Sequence, residues 1–475
     1  MQELLPHLLS LFRKLRYRRF FPFVLAALGG LIAFYVPIPS VIVDTLQIRG
    51  SAALVVSTAL VFVGFRLQRV SKNKDGCIGV AFAIKADSEQ LRQRVASDMV
   101  NETKSILERV QSDHPFYVFD LGGDLAESVT SHKSAVEMRN RCGAHMVIYG
   151  EAKQRKERGQ NFYVLHLEGL VTHVPTPLEN STLLSREMVA VMPLRQKIEE
   201  ENEISGFEIT SVHLAHSVKF VIATAALLSH DGPLAAKLLD DIASHRKQLN
   251  KHGNIVAIRR LKELLPKRQG DAYQFMSRVL FAQWEATREP SLLKESVAWL
   301  EKDAKLRNIP SLNYFLTKAI EAFVLLNDIR AAKKWIEQCQ ARYVSHPAWI
   351  YSAAFLCALE GKVDRAMEYY DSAVVLENGH EIPFQVEGFI AWILEENPKP
   401  AGLNFCLGYI NEKFKSDRIS ASSQYELFLT SKASQSPAAS KATSHAQTFI
   451  SAVRGQPISP SLVSAQGHTE SPELF

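Results

Sequence analysis

The chain has 475 residues, and its 55 lysines and arginines exceed its 50 aspartates and glutamates by a formal net charge of +5. This length allows about two to four domains of ~100–200 residues each. The excess of basic residues lies beside two apolar runs near the N-terminus, which argues against a nucleic-acid-binding protein with one strongly basic face. The five cysteines include no Cys-x-x-Cys pair and are typical of reduced thiols in a cytoplasmic protein.

Two runs without a charged residue lie close together near the N-terminus. They are FFPFVLAALGGLIAFYVPIP, residues 20–39, and GSAALVVSTALVFVGF, residues 50–65. Each is close to the ~20 residues that an α-helix needs to cross ~30 Å of hydrocarbon. The pattern predicts a two-helix transmembrane hairpin over residues 20–68. A buried apolar hairpin in a soluble core is the alternative interpretation.

Basic residues on both sides of this hairpin orient it. They are Arg13, Lys14, Arg16, Arg18 and Arg19 before it, and Arg66, Arg69, Lys72 and Lys74 after it. Basic flanks stay on the cytoplasmic side of a membrane. The sequence therefore predicts a cytoplasmic (inner) membrane protein with two spans and both termini in the cytoplasm. Residues 1–19 are predicted to form an amphipathic basic flank that leads into the membrane.

Small residues in the two runs favour close helix packing, within one hairpin or between copies of the chain. Gly29 and Gly30 are examples in the first run, and Ala52 and Ala53 in the second. The predicted partners of this segment are therefore the lipid bilayer and a second copy of the chain. Neither run contains a charged residue that would mark an ion path, so the hairpin is interpreted as an anchor.

A small α/β domain is predicted over residues 77–195. Its predicted strands are residues 77–84, 116–121, 145–153, 162–174 and 186–194. Helical spacing of apolar residues separates the first three strands. This order implies three parallel strands with right-handed crossovers, closed by an antiparallel hairpin.

The third and fourth predicted strands carry a pattern seen in one group of known proteins. The matching residues are Cys142, Gly143, Ala144, His145, Val147, Tyr149, Gly150, Tyr163, Val164 and Leu167. Because of this pattern, residues 77–175 resemble the N-terminal α/β domain of TolB-like and related CsgG- or FlgO-like proteins. The resemblance implies a module for assembly or binding that often occurs beside helical repeats.

Acidic and glycine residues follow the first two predicted strands, at the edge where open α/β sheets bind ligands. Asp87 follows the first strand, and the second strand leads into Asp120, Gly122, Gly123 and Asp124. These residues are weak candidates for a nucleotide site, since the segment lacks a GxGxxG or GxxxxGK[ST] motif. The alternative is a tight turn in which Asp124 caps a helix. No cofactor is predicted.

An all-helical domain is predicted over residues 209–415. Ala298, Ala332 and Ala366 follow one another at intervals of 34 residues, the length of a tetratricopeptide repeat. An ordinary helical-bundle core is the alternative interpretation of this alanine stripe.

The clearest repeat unit is WIYSAAFLCALEGKVDRAMEYYDSAVVLENG, which starts at Trp349. It resembles the tetratricopeptide consensus, with Gly361 at the turn and Ala366, Tyr370 and Ala373 in the second helix. The resemblance implies a solenoid with a concave surface that binds other proteins. Stacked repeats of this kind have no chemistry of their own.

The last segment, residues 416–475, is rich in Ser, Ala, Gln, Thr and Pro, and it is predicted to be a disordered tail. Short helices at Tyr425–Ser431 and Thr448–Arg454 are the expected exceptions. The complete prediction is thus a multi-domain membrane protein with a transmembrane hairpin, a small α/β domain, a repeat-type solenoid and a disordered tail.

A search for an active site finds no GxSxG, HExxH or kinase motif. His213 and His216 are three residues apart, but they lack the third ligand and acidic partners that a metal site needs nearby. No catalytic or metal-binding residue is therefore predicted. An enzyme that uses Asp87, Asp120 and Asp124 at the sheet edge is the last of the alternatives.

Two functional hypotheses follow from this domain order. The first is a membrane-anchored cytoplasmic scaffold that binds partner proteins, and no nucleic acid, through the repeat array. The second is a ligand-sensing membrane effector in a bacterial stress or defence system. There, the α/β domain would bind a nucleotide or another signal, and oligomers of the hairpin would perturb the membrane.

Overall fold

The computed structural model describes most of the chain after the apolar runs. The described residues are 26–27, 54–60, 70–157, 159–193, 195–200, 203–251, 255–376 and 381–455. The flank (1–19), most of the hairpin (20–68) and the end of the tail (456–475) lie outside them, so these parts stay predictions. The chain divides into two compact units, one up to Met276 and one from Ser277.

A five-stranded mixed sheet forms the centre of the first unit, with the strand order β2-β1-β3-β4-β5. The strands are β1 (Ile78–Ala86), β2 (Phe116–Asp120), β3 (Met146–Glu157), β4 (Gln160–Val171) and β5 (Arg195–Glu199). Strand β1 is parallel to β2 and β3, whereas β3–β4 and β4–β5 are antiparallel. The predicted three parallel strands and antiparallel hairpin are confirmed.

Helices cover the central strands of this sheet. Those of the first unit are α1 (Glu89–Arg94), which continues through a π-helical turn (Val95–Val100) into α2 (Asn101–Glu108), then α3 (Gly123–Ser128), α4 (His132–Cys142), α5 (Leu178–Val191), α6 (Glu203–Leu228), α7 (Gly232–Ser244) and α8 (Arg246–Lys251). Ala81 and Ala83 of β1 pack against α3 and α4. The continuous apolar sequence of β1 reflects burial on both faces.

The strand predicted at residues 186–194 is wrong. Most of these residues belong to α5, and β5 follows it. Leu184, Glu187 and Val191 are buried at helical spacing on one face of α5. Glu187 accepts two hydrogen bonds of 2.7 Å from Arg268, which neutralises the buried carboxylate.

Helix α6 belongs to the first unit, although the expected boundary of the repeat domain, residue 209, lies within it. It packs against α2, α5, α7 and β5. Its segment Ser205–Leu228 is the one helix among the described residues that is long and apolar enough to cross a membrane. Because 89% of its apolar window is buried inside the protein, we interpret α6 as a core helix. The described residues do not support a two-span hairpin.

The second unit is helical throughout its described residues. Helix α9 (Val256–Thr287) contains the boundary between the units, and it is followed by α10 (Pro290–Arg307), α11 (Leu312–Val324), α12 (Ile329–Arg342), α13 (Pro347–Leu359), α14 (Val363–Leu376), α15 (Glu381–Glu396), α16 (Gly402–Lys413), α17 (Arg418–Leu429) and α18 (Ser440–Arg454). Helices α11 and α12, α13 and α14, and α16 and α17 pack as consecutive pairs. Such packing resembles a helical repeat.

The disordered tail predicted from residue 416 is wrong for residues 418–454. These residues form α17 and α18, separated by two short 3₁₀ turns. Tyr425, Phe428 and Ile450 enter the core of the second unit. The segment orders because its few large apolar residues fall on one helical face, with buried alanines that let the helices approach closely.

Candidate binding groove in the helical unit

A cavity of about 420 Å³ opens between alternate helices of the second unit. Residues of α9, α11, α13 and α15 form its walls, with two side chains from α12. In the α11–α12 and α13–α14 pairs the first helix supplies most of the lining. The second helix of the α13–α14 pair packs into the core, where Ala366, Tyr370 and Ala373 are fully buried.

Three phenylalanines form the floor of this groove. The ring centroid of Phe355 lies 5.3 Å from those of Phe323 and Phe389, and the latter two lie 6.3 Å apart. The edge-to-face geometry of all three pairs is favourable for aromatic rings. One aromatic side chain from each of α11, α13 and α15 therefore holds the groove helices together.

A tryptophan pair and an arginine close one end of the aromatic cluster. Trp284 and Trp392 meet edge-on with centroids 6.0 Å apart, and Trp392 also contacts Phe389. The guanidinium carbon of Arg288 lies 4.9 Å from the centroid of Trp284 and 4.3 Å from that of Trp392. This cation–π contact joins the end of α9 to α15.

Polar groups lie along the edges of the groove. Asn313, Ser352 and Gln385 supply amide and hydroxyl groups, while Arg278 and Glu285 supply one charge of each sign. Desolvation raises the pKa of Glu285, and the positive charge of Arg288 opposes this shift. The groove thus combines an apolar floor with hydrogen-bonding edges and no net charge of its own.

The predicted repeat-packing residues are not all equivalent in the structure. Ala332, Ala366, Tyr370 and Ala373 are buried, and Gly361 takes a φ of +76° at the turn between α13 and α14. Ala332 also lines the groove.

Ala298, by contrast, is exposed, because α10 turns Leu293, Ser296, Val297 and Leu300 inward. Ala298 therefore keeps the 34-residue spacing in sequence but does not occupy the buried packing position that Ala332 and Ala366 share.

The candidate residues at the sheet edge do not form one site. Asp120 pairs with Phe82, whereas Asp87 follows the end of β1, five residues farther along the chain, which is about 17 Å at ~3.3 Å per residue. Each carboxylate is used locally. Asp87 accepts a hydrogen bond of 2.8 Å from the Gln154 N–H, and Asp120 accepts one of 3.1 Å from the Gly122 N–H.

The two glycines after β2 shape the turn into α3. Gly122 has a φ of +77°, which favours glycine, and a Cβ on Gly123 would lie 2.8 Å from Arg92 Nη1. The side chain of Asp124 lies outside the described part of the structure. These glycines thus serve the turn geometry, as the alternative interpretation expected, but the N-cap of α3 is Gly122 and not Asp124.

His213 and His216 lie on the buried part of α6, close to α5 and α7. His213 Nε2 lies 3.0 Å from the carbonyl oxygen of Val191, and the His216 ring lies 5.4 Å from that of His245. Over residues 70–455, where described, no group of three or more His, Cys, Asp or Glu side chains has the arrangement of a metal site.

Comparisons of the chain with protein-family models, with characterised proteins and with solved structures found no match.

Proposed function

We propose that the protein is a membrane-anchored cytoplasmic scaffold whose helical unit binds an extended apolar peptide segment of a partner protein. The observation that carries this proposal is the groove between α9, α11, α13 and α15. Its volume of about 420 Å³ falls within the ~300–1,000 Å³ range of binding pockets. A groove of this size holds a few side chains of a peptide.

The lining of the groove specifies the chemistry of that peptide. The phenylalanine floor favours apolar side chains, and the opposite charges of Arg278 and Glu285 favour a segment without net charge. Asn313 and Gln385 carry both a donor and an acceptor, so they are suited to the N–H and C=O groups of an extended backbone. No reaction is needed to explain this lining.

The wider domain assignment is part of the same proposal. The helical unit is proposed to be a tetratricopeptide-like array, on the strength of the paired helices and the buried Ala332, Ala366 and Ala373. The sheet unit is proposed to be a TolB-like assembly module, on the strength of its sequence pattern and its mixed sheet.

Anchoring by residues 20–68 is proposed from the two charge-free runs and their basic flanks. The two runs are in contact where they are described, since Ser57 Oγ donates a hydrogen bond of 3.1 Å to the carbonyl oxygen of Ala26. Pairing of hairpins between copies of the chain is proposed from the small residues of both runs.

The groove is tested with two arginine substitutions on one helix. Ala282 and Ala286 are both exposed on α9, but only Ala282 lines the groove. Peptides are first selected from a display library on the detergent-solubilised full-length protein. We expect Ala282→Arg to weaken binding of the selected peptides at least ~10-fold, since a charged side chain would enter an apolar site.

Ala286→Arg is the matched control, and it should leave binding within about twofold because its site lies outside the lining. Equal loss in both variants, or a selection that yields no apolar peptide, would contradict the proposed function. Thermal unfolding of both variants establishes that they are folded.

A further inference from the structure

A cavity of about 700 Å³ in the sheet unit lies at the edge opposite the one where ligands were expected. It is bounded by the segments that precede β1, β2 and β3, and by the end of β4. The end of α6 and the start of α7 form its remaining wall. Nothing in the proposed scaffold function uses this cavity.

One side of the cavity is rich in cations and hydrogen-bond donors. Lys72, Lys74 and Arg141 line it, together with His114 and His145. Two carboxylates, those of Asp75 and Asp231, also belong to the lining. Asp231 is used as a helix cap, since its Oδ1 accepts a hydrogen bond of 3.1 Å from the Leu234 N–H at the start of α7.

The ring of His145 is oriented by the backbone of β1. The Gly79 N–H donates a hydrogen bond of 3.1 Å to His145 Nδ1, which places the proton of the neutral ring on Nε2. Burial lowers the pKa of this histidine, with the nearby His114 as a second cause. His145 is therefore a neutral donor at neutral pH, set beside the cationic side chains.

A second part of the lining, on other elements of the unit, is largely apolar. Ile222, Ala225 and Ala226 of α6 lie there, with Leu234 of α7 and Val171 of β4. A small hydrophilic anion would satisfy only the cationic side. The combination of both sides fits a ligand that has an anionic head and an apolar body.

We infer that this cavity binds a phosphate ester attached to an apolar body, with Lys72, Arg141 and His145 on the phosphate and α6 against the apolar part. Arg and Lys are the usual partners of phosphate oxygens in proteins. A phospholipid is one source of such a ligand, because residues 70–76 begin shortly after the second apolar run. Only this choice of source rests on the proposed membrane anchoring.

Binding is measured on the full-length protein in uncharged detergent micelles, by thermophoresis with four probes. Dihexanoyl phosphatidic acid carries both features, and dihexanoyl phosphatidylcholine carries a phosphate without net charge. Glycerol 3-phosphate and inorganic phosphate lack the apolar body. We expect the first probe to bind most tightly and to lose roughly tenfold in affinity in the double variant K72Q/R141Q.

The double variant R155Q/K156Q is the matched control, since it also removes two positive charges. Both residues are exposed on β3, about 30 Å along the strand from its start beside the cavity. It should leave the affinity within about twofold. Equal affinity for phosphatidic acid and glycerol 3-phosphate would overturn the role of the apolar wall. Equal losses in both double variants, or no binding of any phosphate probe, would overturn the site.

The results of the phosphate-binding experiment do not depend on whether the groove binds a peptide. Peptide binding by the helical unit is measured on the same K72Q/R141Q protein, where it should be unchanged. A failure of the phosphate probes therefore leaves the scaffold function standing, and a failure of the peptide selection leaves the cavity standing.

Discussion

Helix α6 buries three ionisable side chains, His213, His216 and Lys219, each with only 1% of its surface exposed. Lys219 Nζ lies 2.6 Å from Asp241 Oδ2, so its charge is paired. His213 reaches the carbonyl oxygen of Val191. His216 Nδ1 is buried and has no hydrogen-bond partner among the described residues. A protonated ring at either histidine would thus be poorly solvated.

We expect the stability of the sheet unit to fall as the pH falls below about 6.5. Desolvation lowers the pKa of His213 to about 4 and that of His216 to about 3, with the charge of Lys219 as a further cause for His216. The unfolded chain binds these protons near pH 6.5, whereas the folded protein binds them only at a lower pH. The free energy of unfolding therefore rises with pH between the folded pKa and the unfolded pKa of each ring. At pH 5 the loss is about 2 kcal/mol for each ring.

The measurement is the apparent Tm as a function of pH for the wild type and for His216→Leu. Removing the titrating ring should flatten the profile between pH 6.5 and pH 4. His132→Gln, at an exposed position, is the control and should keep the wild-type slope. A profile with the same slope in all three proteins would refute this account of the pH dependence.

Residues at equal spacing in the sequence are not equally buried in the helices of the second unit. Ala298 and Ala366 both belong to the series with a spacing of 34 residues, yet Ala298 is exposed and Ala366 is fully buried. We expect Ala366→Leu to destabilise the helical unit by about 1–3 kcal/mol through overpacking. Ala298→Leu should change the free energy of unfolding by no more than about 0.5 kcal/mol.

Urea denaturation followed by tryptophan fluorescence compares the two alanine variants directly. The substitution is chemically identical in both, so helix propensity cancels. If Ala298→Leu were as destabilising as Ala366→Leu, the assignment of α10 as an irregular member of the array would be wrong.

The last two helices show how polar contacts order a segment of low-complexity composition. Glu412 of α16 accepts hydrogen bonds of 2.7 Å from the Tyr425 hydroxyl of α17 and from His445 Nε2 of α18. Desolvation raises the pKa of Glu412, but hydrogen bonds from His445, Lys413 and Tyr425 outweigh it and lower this pKa to about 2. One carboxylate thus ties both terminal helices to the core.

For the whole molecule, we expect a chain without residues 1–68 to be found in the soluble fraction after lysis and alkaline extraction. The two charge-free runs are then absent, and α6 is buried within the sheet unit. Burial against α2, α5 and α7 removes the apolar surface that a membrane would otherwise bind.

The full-length chain, expected in the membrane fraction, is the control for this fractionation. Circular dichroism and thermal unfolding establish that the shortened chain is folded. A folded, shortened chain that still sedimented with membranes would show that anchoring resides elsewhere, with α6 as the first candidate.

The first four strands were predictable because each has a local signal. Burial on both faces makes β1 a continuous apolar run, and the polar segment 155–161 marks the tip of the β3–β4 hairpin, although most of its residues pair within the two strands. The strand predicted at 186–194 failed because Leu184, Glu187 and Val191 satisfy a helical period as well. Residue type alone does not decide between these two periods.

The groove and the cavity were not predictable, since each joins residues that are distant in sequence. Trp284 and Trp392 meet at the end of the aromatic cluster beside the groove, and His145 is oriented by Gly79. The sheet-edge candidates lie apart for the related reason that β2 ends at Asp120, beside Phe82, while β1 continues to Ala86. Only the register of the strands shows this separation.

The sequence by itself determined the charge-free runs with their basic flanks, the order of the first four strands and the helical character of the second half of the chain. These are local properties of periodicity and composition. The tertiary structure decided that α6 is a core helix, that Ala298 faces outward, that residues 418–454 are ordered and where the cavities lie. Burial depends on what packs against a segment, and that partner lies elsewhere in the chain.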